Sequence, residues 1–154
     1  MYTKELVLGC DNAAVDLMKE IKSLLADQGI PFTDMGVQSS SDDTAYPNVA
    51  QKVVEEIARS GYHKEGILIC GTGIGMSITA NKYPGIYAAV CHDAYSAERA
   101  RLSNNTNVLC MGARVVGPEL AKKIVKEWLN LEFQGGRSIP KVEIIHKIER
   151  QNFK

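Results

Sequence analysis

Long apolar runs are missing from this chain of 154 residues. None approaches the roughly 20 residues that a membrane-spanning helix needs, so no helical span is expected. An excess of one charge is missing too: 18 Lys and Arg stand against 18 Asp and Glu. Such a balance supplies no general field for drawing in nucleic acid or an anionic membrane. It leaves open a local pocket for one small anion. No G-x-x-x-x-G-K-S/T motif is present, and the glycine-rich stretch 71–75 reads G-x-G-x-G, with Met76 where the dinucleotide pattern requires glycine. The four cysteines, Cys10, Cys70, Cys91 and Cys110, form no C-x-x-C pair, which argues against a zinc clip or a redox motif. Histidines are few: His63, His92 and His146 each read as an ordinary satisfied or exposed side chain. Residues 1–5 carry no secretory pattern, and reduced thiols suit the cytoplasm, which is the expected location.

What is present is an alternation. Short apolar runs at 6–8, around 31–32, at 67–70, 86–91 and 108–111 have the length and flanks of buried parallel strands. Between them run helical patterns. Ala14, Leu17, Met18, Ile21, Leu24 and Leu25 share one face of the first, which Gly29 closes. Pro47 opens the second at its first position, with Val49, Val53, Val54 and Ile57 as its stripe. Asp93 is an N-cap candidate for a helix to about Ser103. Pro118 starts another, with Leu120, Ile124, Trp128 and Leu129 facing inward, and a last helix follows Pro140. The expected fold is α/β and Rossmann-like: one domain over 1–154, a three-layer sandwich. Its five-stranded parallel sheet has order 2-1-3-4-5, helices on both faces and an extra C-terminal helix. Ligands of such sheets bind beyond the C-terminal strand ends, at the switch between the first and third strands. Residues 9–12 and 70–75 should meet there.

Those segments carry chemistry. Gly71, Gly73 and Gly75 lie between a strand and a helix, where backbone can approach a ligand and amide N–H groups face an anion or a developing oxyanion. Cys70 ends the strand just before them, where a thiolate is favoured. The alternative for a free cysteine is a small buried hydrophobe, and that reading is kept for Cys10, Cys91 and Cys110. Asp11, opposite Cys70, suits a helix cap and a ligand contact alike. Arg114, Arg137 and Lys141 are candidate phosphate partners.

Taken together, Gly9-Cys10-Asp11, Ala45-Tyr46-Pro47, residues 69–75, Ala80-Asn81-Lys82, Asn105-Thr106-Asn107-Val108, Arg114-Val115-Val116-Gly117 and Gly135-Gly136-Arg137 resemble type B ribose-5-phosphate isomerase. Its family also takes in galactose-6-phosphate and allose-6-phosphate isomerases. The resemblance covers nearly the whole chain in the same order. It implies an aldose–ketose isomerase, without metal or cofactor, working through an enediolate. Cys70 would be the base, with Gly71, Thr72, Gly73 and Gly75 stabilising the enediolate oxygen. Asp11, Asn12, Ser103 and Asn104 would sit at the sugar, Tyr46 would line the pocket, and Arg114, Arg137 and Lys141 would take the phosphate. It further implies a homodimer with shared sites; pairing of dimers into tetramers is left open. The topology agrees, since Asn104 precedes the fifth strand and so lies at the opposite sheet edge from Cys70.

This sequence departs from the family pattern at four places. Asn12, Ser103, Lys141 and Ala45 stand where the family usually has His, a ring-opening His, Arg and Asp. Ribose 5-phosphate is the leading substrate expectation. A tetrose 4-phosphate, which cannot close a furanose and needs no ring opening, is the alternative, beside a hexose 6-phosphate and a non-catalytic sugar-phosphate-binding subunit.

Overall fold

The computed structural model describes residues 1–153. Strands β1 (Leu6–Cys10), β2 (Phe32–Asp34), β3 (Glu65–Cys70), β4 (Ala88–Val90) and β5 (Val108–Gly112) alternate with helices α1 (Val15–Asp27), α2 (Tyr46–Arg59), α3 (Ile74–Ala80), α4 (Ala94–Leu102) and α5 (Pro118–Leu129). A 3-10 turn (Gly136–Ser138) and helix α6 (Ile139–Asn152) follow. All strand pairs are parallel. Right-handed crossovers put α2 and α3 on one face of the sheet; α1, α4 and α5 pack together on the other.

The strand order is β2-β1-β3-β5-β4, which corrects the expected 2-1-3-4-5. Every residue of β5 is buried, whereas all three of β4 are only half-buried. A strand buried on both faces needs a neighbour on each side, so β5 sits between β3 and β4, and the short β4 takes the edge. Both orders keep every crossover right-handed; they differ in the face that α4 covers.

Helix starts follow the sequence signals within a residue. Asp93 caps α4 by accepting the Ser96 N–H at 2.6 Å. Helix α2 begins at Tyr46, one residue before Pro47. The inward stripe of α5 is Ala121, Ile124, Val125, Trp128 and Leu129; Leu120, expected inside, is exposed because Ala121 occupies that turn of the stripe.

Trp128 anchors the lower core. Its indole N–H donates to Thr106 Oγ1 at 3.0 Å, and the Arg101 guanidinium stacks 3.6 Å from its ring. Arg101 also donates to Trp128 O, Thr106 O and both Glu65 carboxylate oxygens. Tyr2 and Lys4 complete the shell around Glu65 at 2.9 and 2.7 Å. Burial pushes the Glu65 carboxyl up, but Arg101, then Lys4, outweigh it and hold it below the ordinary carboxylate range. This buried cluster fixes the end of α4, immediately before Ser103 and Asn104.

The outer edge of β4 is closed by a side chain. Asn81 donates to Ala88 O at 2.9 Å and accepts the Ala88 N–H at 2.8 Å. On the inner side, where β5 begins, Asn107 donates to Gly85 O and accepts the Tyr87 N–H, both at 2.8 Å. Helix α6 hangs on Glu149, which accepts from the Gly85 N–H and the Tyr87 hydroxyl, and leaves Ile144, Ile145 and Ile148 exposed.

Candidate active site

The C-terminal ends of β1, β3 and β5 converge. Cys10 pairs with Ile69, and Cys70 with Gly112. Cys70 is buried, and the Gly73 N–H donates to its Sγ at 3.1 Å. That contact depends on Gly73 taking a φ of +76°; a Cβ there would also stand 2.7 Å from the Met111 carbonyl carbon. Only glycine meets both conditions. Gly75 makes room for a side chain, since a Cβ would lie 2.3 Å from the Tyr46 ring. The phenol at the head of α2 therefore rests on the first turn of α3. Exposed Thr72 accepts the Ile74 N–H at 3.3 Å. Amides that open a helix have no helical acceptor, so this loop suits a developing negative charge.

Arg114 closes the other side. Its N–H donates to Gly71 O at 3.0 Å, and its guanidinium would stand 3.3 Å from a Cβ on Gly71. The observed strand order produces this contact, because β5 is the immediate neighbour of β3. Asp11 is half-buried and accepts the Ala13 N–H at 3.1 Å in a turn leading into α1; Asn12 beside it is exposed.

The thiols separate by environment. Burial pushes Cys10 up to about 12, helped by the Asp34 and Asp11 charges, and Cys91 up to about 11, helped by Asp93. Burial raises Cys110 as well. These three are held as neutral thiols, and Cys70 alone receives a loop amide.

Ser103, Asn104, Arg137 and Lys141 are not part of this cluster. Ser103 caps the C-terminus of α4, and Asn104 follows it at the sheet end where β5 begins. The Gln134 N–H donates to Leu102 O, which ties the Arg137 segment to the same end. The length of β5 alone, at about 3.3 Å per residue, puts about 15 Å between this group and Cys70. A hollow of about 230 Å³ between β4 and α6, lined by Asn104, Ala88, Val142 and His146, also lies away from Cys70.

Two residues passed over in sequence belong near these groups. His92 Nε2 accepts the Gly112 N–H at 2.9 Å, which steadies the backbone beneath Thr72. Its place at the end of β4 was the available signal. Arg99 donates from Nε to Ser103 Oγ at 3.0 Å, an i,i+4 pair whose spacing was the one signal in the sequence.

Fold and site together define a class: a doubly wound α/β protein whose strand ends gather a thiol, a helix-start amide loop and an arginine. The chain belongs to the Ribose/Galactose Isomerase family, whose model matches residues 6–145. It is 51% identical over 146 residues to D-erythrulose-4-phosphate isomerase of Pectobacterium atrosepticum, covering 95% of each chain. It is 47% identical over 148 residues to ribose-5-phosphate isomerase B of Escherichia coli, covering 96% of this chain and 98% of that one. The solved ribose-5-phosphate isomerase B of Clostridium thermocellum superposes with a TM-score of 0.90 at 41% identity, over 96% of this chain and 98% of that one. The protein is a sugar-phosphate isomerase of the aldose–ketose kind.

Proposed function

We propose that the chain interconverts D-erythrulose 4-phosphate and an erythrose 4-phosphate, as a homodimer whose sites are shared between subunits. The observation that carries this reading is Ser103. A furanose needs a proton shuttle near neutral pH to open, and a serine hydroxyl does not titrate there. A tetrose 4-phosphate has no free hydroxyl with which to close a furanose, so it needs no such group. The relative from Pectobacterium atrosepticum, which carries erythrulose 4-phosphate in its name, supports the same choice. Ribose 5-phosphate, first among the sequence expectations, is the second reading, supported by the Escherichia coli relative.

In this reading the Cys70 thiolate removes the proton from the carbon next to the carbonyl. The electron pair moves into a C1–C2 enediolate, whose oxygen accepts hydrogen bonds from the amides of 71–75. Cys70 then returns the proton to the neighbouring carbon, while the hydroxyl proton passes from one enediolate oxygen to the other. The cycle is redox-neutral and calls for no metal or cofactor. Asp11 and Asn12 hold sugar hydroxyls, Tyr46 walls the pocket, and Arg114 faces the phosphate. Ser103, Asn104, Arg137 and Lys141 reach this centre from a second copy, because their own Cys70 is at the other end of the sheet. Four unpaired thiols fit residence in the cytoplasm.

The deciding experiment compares kcat/KM for erythrulose 4-phosphate, erythrose 4-phosphate and ribose 5-phosphate, with Ser103→His in parallel. Efficient turnover of ribose 5-phosphate with no gain from Ser103→His removes the tetrose reading. Mixing inactive Cys70→Ala with inactive Asn104→Ala subunits restores one intact site per mixed dimer; mixtures as inactive as their parents remove the shared site.

A further inference from the structure

Arg99 and Arg101 point in opposite directions. Two residues along a helix turn by about 200°. Arg101 enters the core, where every contact is taken, and the Arg99 side chain remains 37% exposed, facing away from it. Arg99 donates through both Nε and Nη2 to one atom, Ser103 Oγ, while Nη1 reaches Glu98 Oε1 at 3.2 Å. The Nε–Nη2 edge is a planar fork that matches two oxygens of a carboxylate or phosphate. Here it closes on a single neutral hydroxyl. Ser103 holds that edge in position, and the remaining N–H groups of Nη1 and Nη2 are left to meet an incoming oxygen.

We propose that Arg99, seated on Ser103, is a phosphate ligand of the shared site and selects for a four-carbon chain. The inference rests on the reading above, in which the Ser103 end of one copy meets the Cys70 end of the other. A guanidinium keeps its proton at any working pH, so it cannot open a ring; what it supplies is fixed positive charge and bidentate geometry. A tetrose 4-phosphate asks for that combination. Its phosphate lies one carbon–carbon bond nearer the reacting carbons than that of a pentose 5-phosphate, and it has no ring to open. A cation added beside Ser103 supplies charge for an anion drawn in toward the reacting carbons.

The test uses Arg99→Gln and Arg99→Lys in the full-length protein. With erythrulose 4-phosphate, losing a charge-assisted pair should raise KM roughly 10- to 100-fold in Arg99→Gln, with a much smaller change in kcat. Arg99→Lys, keeping charge without the fork, should fall between. Solvent-deuterium exchange into phosphate-free erythrulose should suffer a loss at least about tenfold smaller than that on the ester. An unchanged KM for the ester, or equal losses on both substrates, overturns the proposal; the latter assigns Arg99 a structural role. Mixing Arg99→Gln with Cys70→Ala subunits should bring back the wild-type KM, and a KM that stays raised places Arg99 in its own subunit's site and overturns the shared arrangement. If the wild-type enzyme prefers ribose 5-phosphate, the four-carbon reading falls, and with it the chain-length selectivity. The same KM comparison on ribose 5-phosphate then decides Arg99 as a phosphate ligand independently.

Discussion

Replacing Gly73 with alanine should damage stability and turnover together, by separable amounts. At φ +76° an L-residue costs about 1–2 kcal/mol. The new Cβ would lie 2.7 and 2.9 Å from the Met111 carbonyl carbon and oxygen, both backbone atoms that cannot swing aside. Overpacking of that kind costs about 1–3 kcal/mol more. For a chain of this size roughly 3 °C of Tm accompanies each kcal/mol, so Tm should fall by roughly 6–15 °C. Relief of the clash moves the Gly73 N–H off Cys70 Sγ. A hydrogen bond to a charged group contributes about 1.5–3 kcal/mol, which corresponds to roughly 10- to 150-fold in kcat. Gly29 supplies the control. It has φ +67° but nothing within 4 Å of its absent Cβ. Gly29→Ala should therefore show only the backbone cost, roughly 3–6 °C, with unchanged kcat. Differential scanning calorimetry and steady-state kinetics on both variants decide the matter. A Gly73→Ala enzyme with wild-type kcat and a Tm loss no larger than that of Gly29→Ala would refute the argument.

Three further outcomes are expected. Cys70→Ala should lose about 10²- to 10⁴-fold in kcat while keeping its Tm, and near-normal turnover would remove Cys70 as the base. Arg101→Met should cost about 3–5 kcal/mol by leaving Glu65 buried with only Lys4 and the Tyr2 hydroxyl, and adding Glu65→Gln should recover much of it; a thermal melt in which the double variant is worse than the single contradicts this. Stability should fall as pH rises above about 8.5, where thiols of the unfolded chain ionise. The decline should continue toward the raised values of about 11 for Cys91 and about 12 for Cys10, because the folded state keeps its protons there. Urea midpoints at rising pH measure the slope, and Cys10→Ala should shallow it.

Much of the site could be read from the chain because it is local. Cys70, its three glycines and the helix after them are consecutive, and a strand-to-helix turn with that composition has few other uses. Element positions were legible for the same reason, since each periodic stripe lies within one segment. Strand order was not. The run 86–91 looks as apolar as 108–111, and only packing reveals that the first is half-buried and the second enclosed. That difference brings Arg114 to Gly71, a contact that an intervening strand would have prevented. Leu120 misled because i,i+4 spacing from Ile124 fits the stripe, while Ala121 was small enough to overlook. Arg99 escaped notice because a half-exposed arginine on a charged helix resembles any solvated side chain until its partner is known.

The Asn81 amide beside β4 limits one way in which copies of this protein can meet. An edge strand offers a row of unpaired N–H and C=O groups to any passing strand, and a second sheet could extend from it. On β4 the outward pair of Ala88 is already matched by Asn81, which supplies one donor and one acceptor as a neighbouring strand would. One side chain thus stands in for part of a sixth strand, and at Ala88 the sheet ends by its hydrogen bonds rather than by running out of chain. Fibre-like growth across this edge would first have to evict that amide.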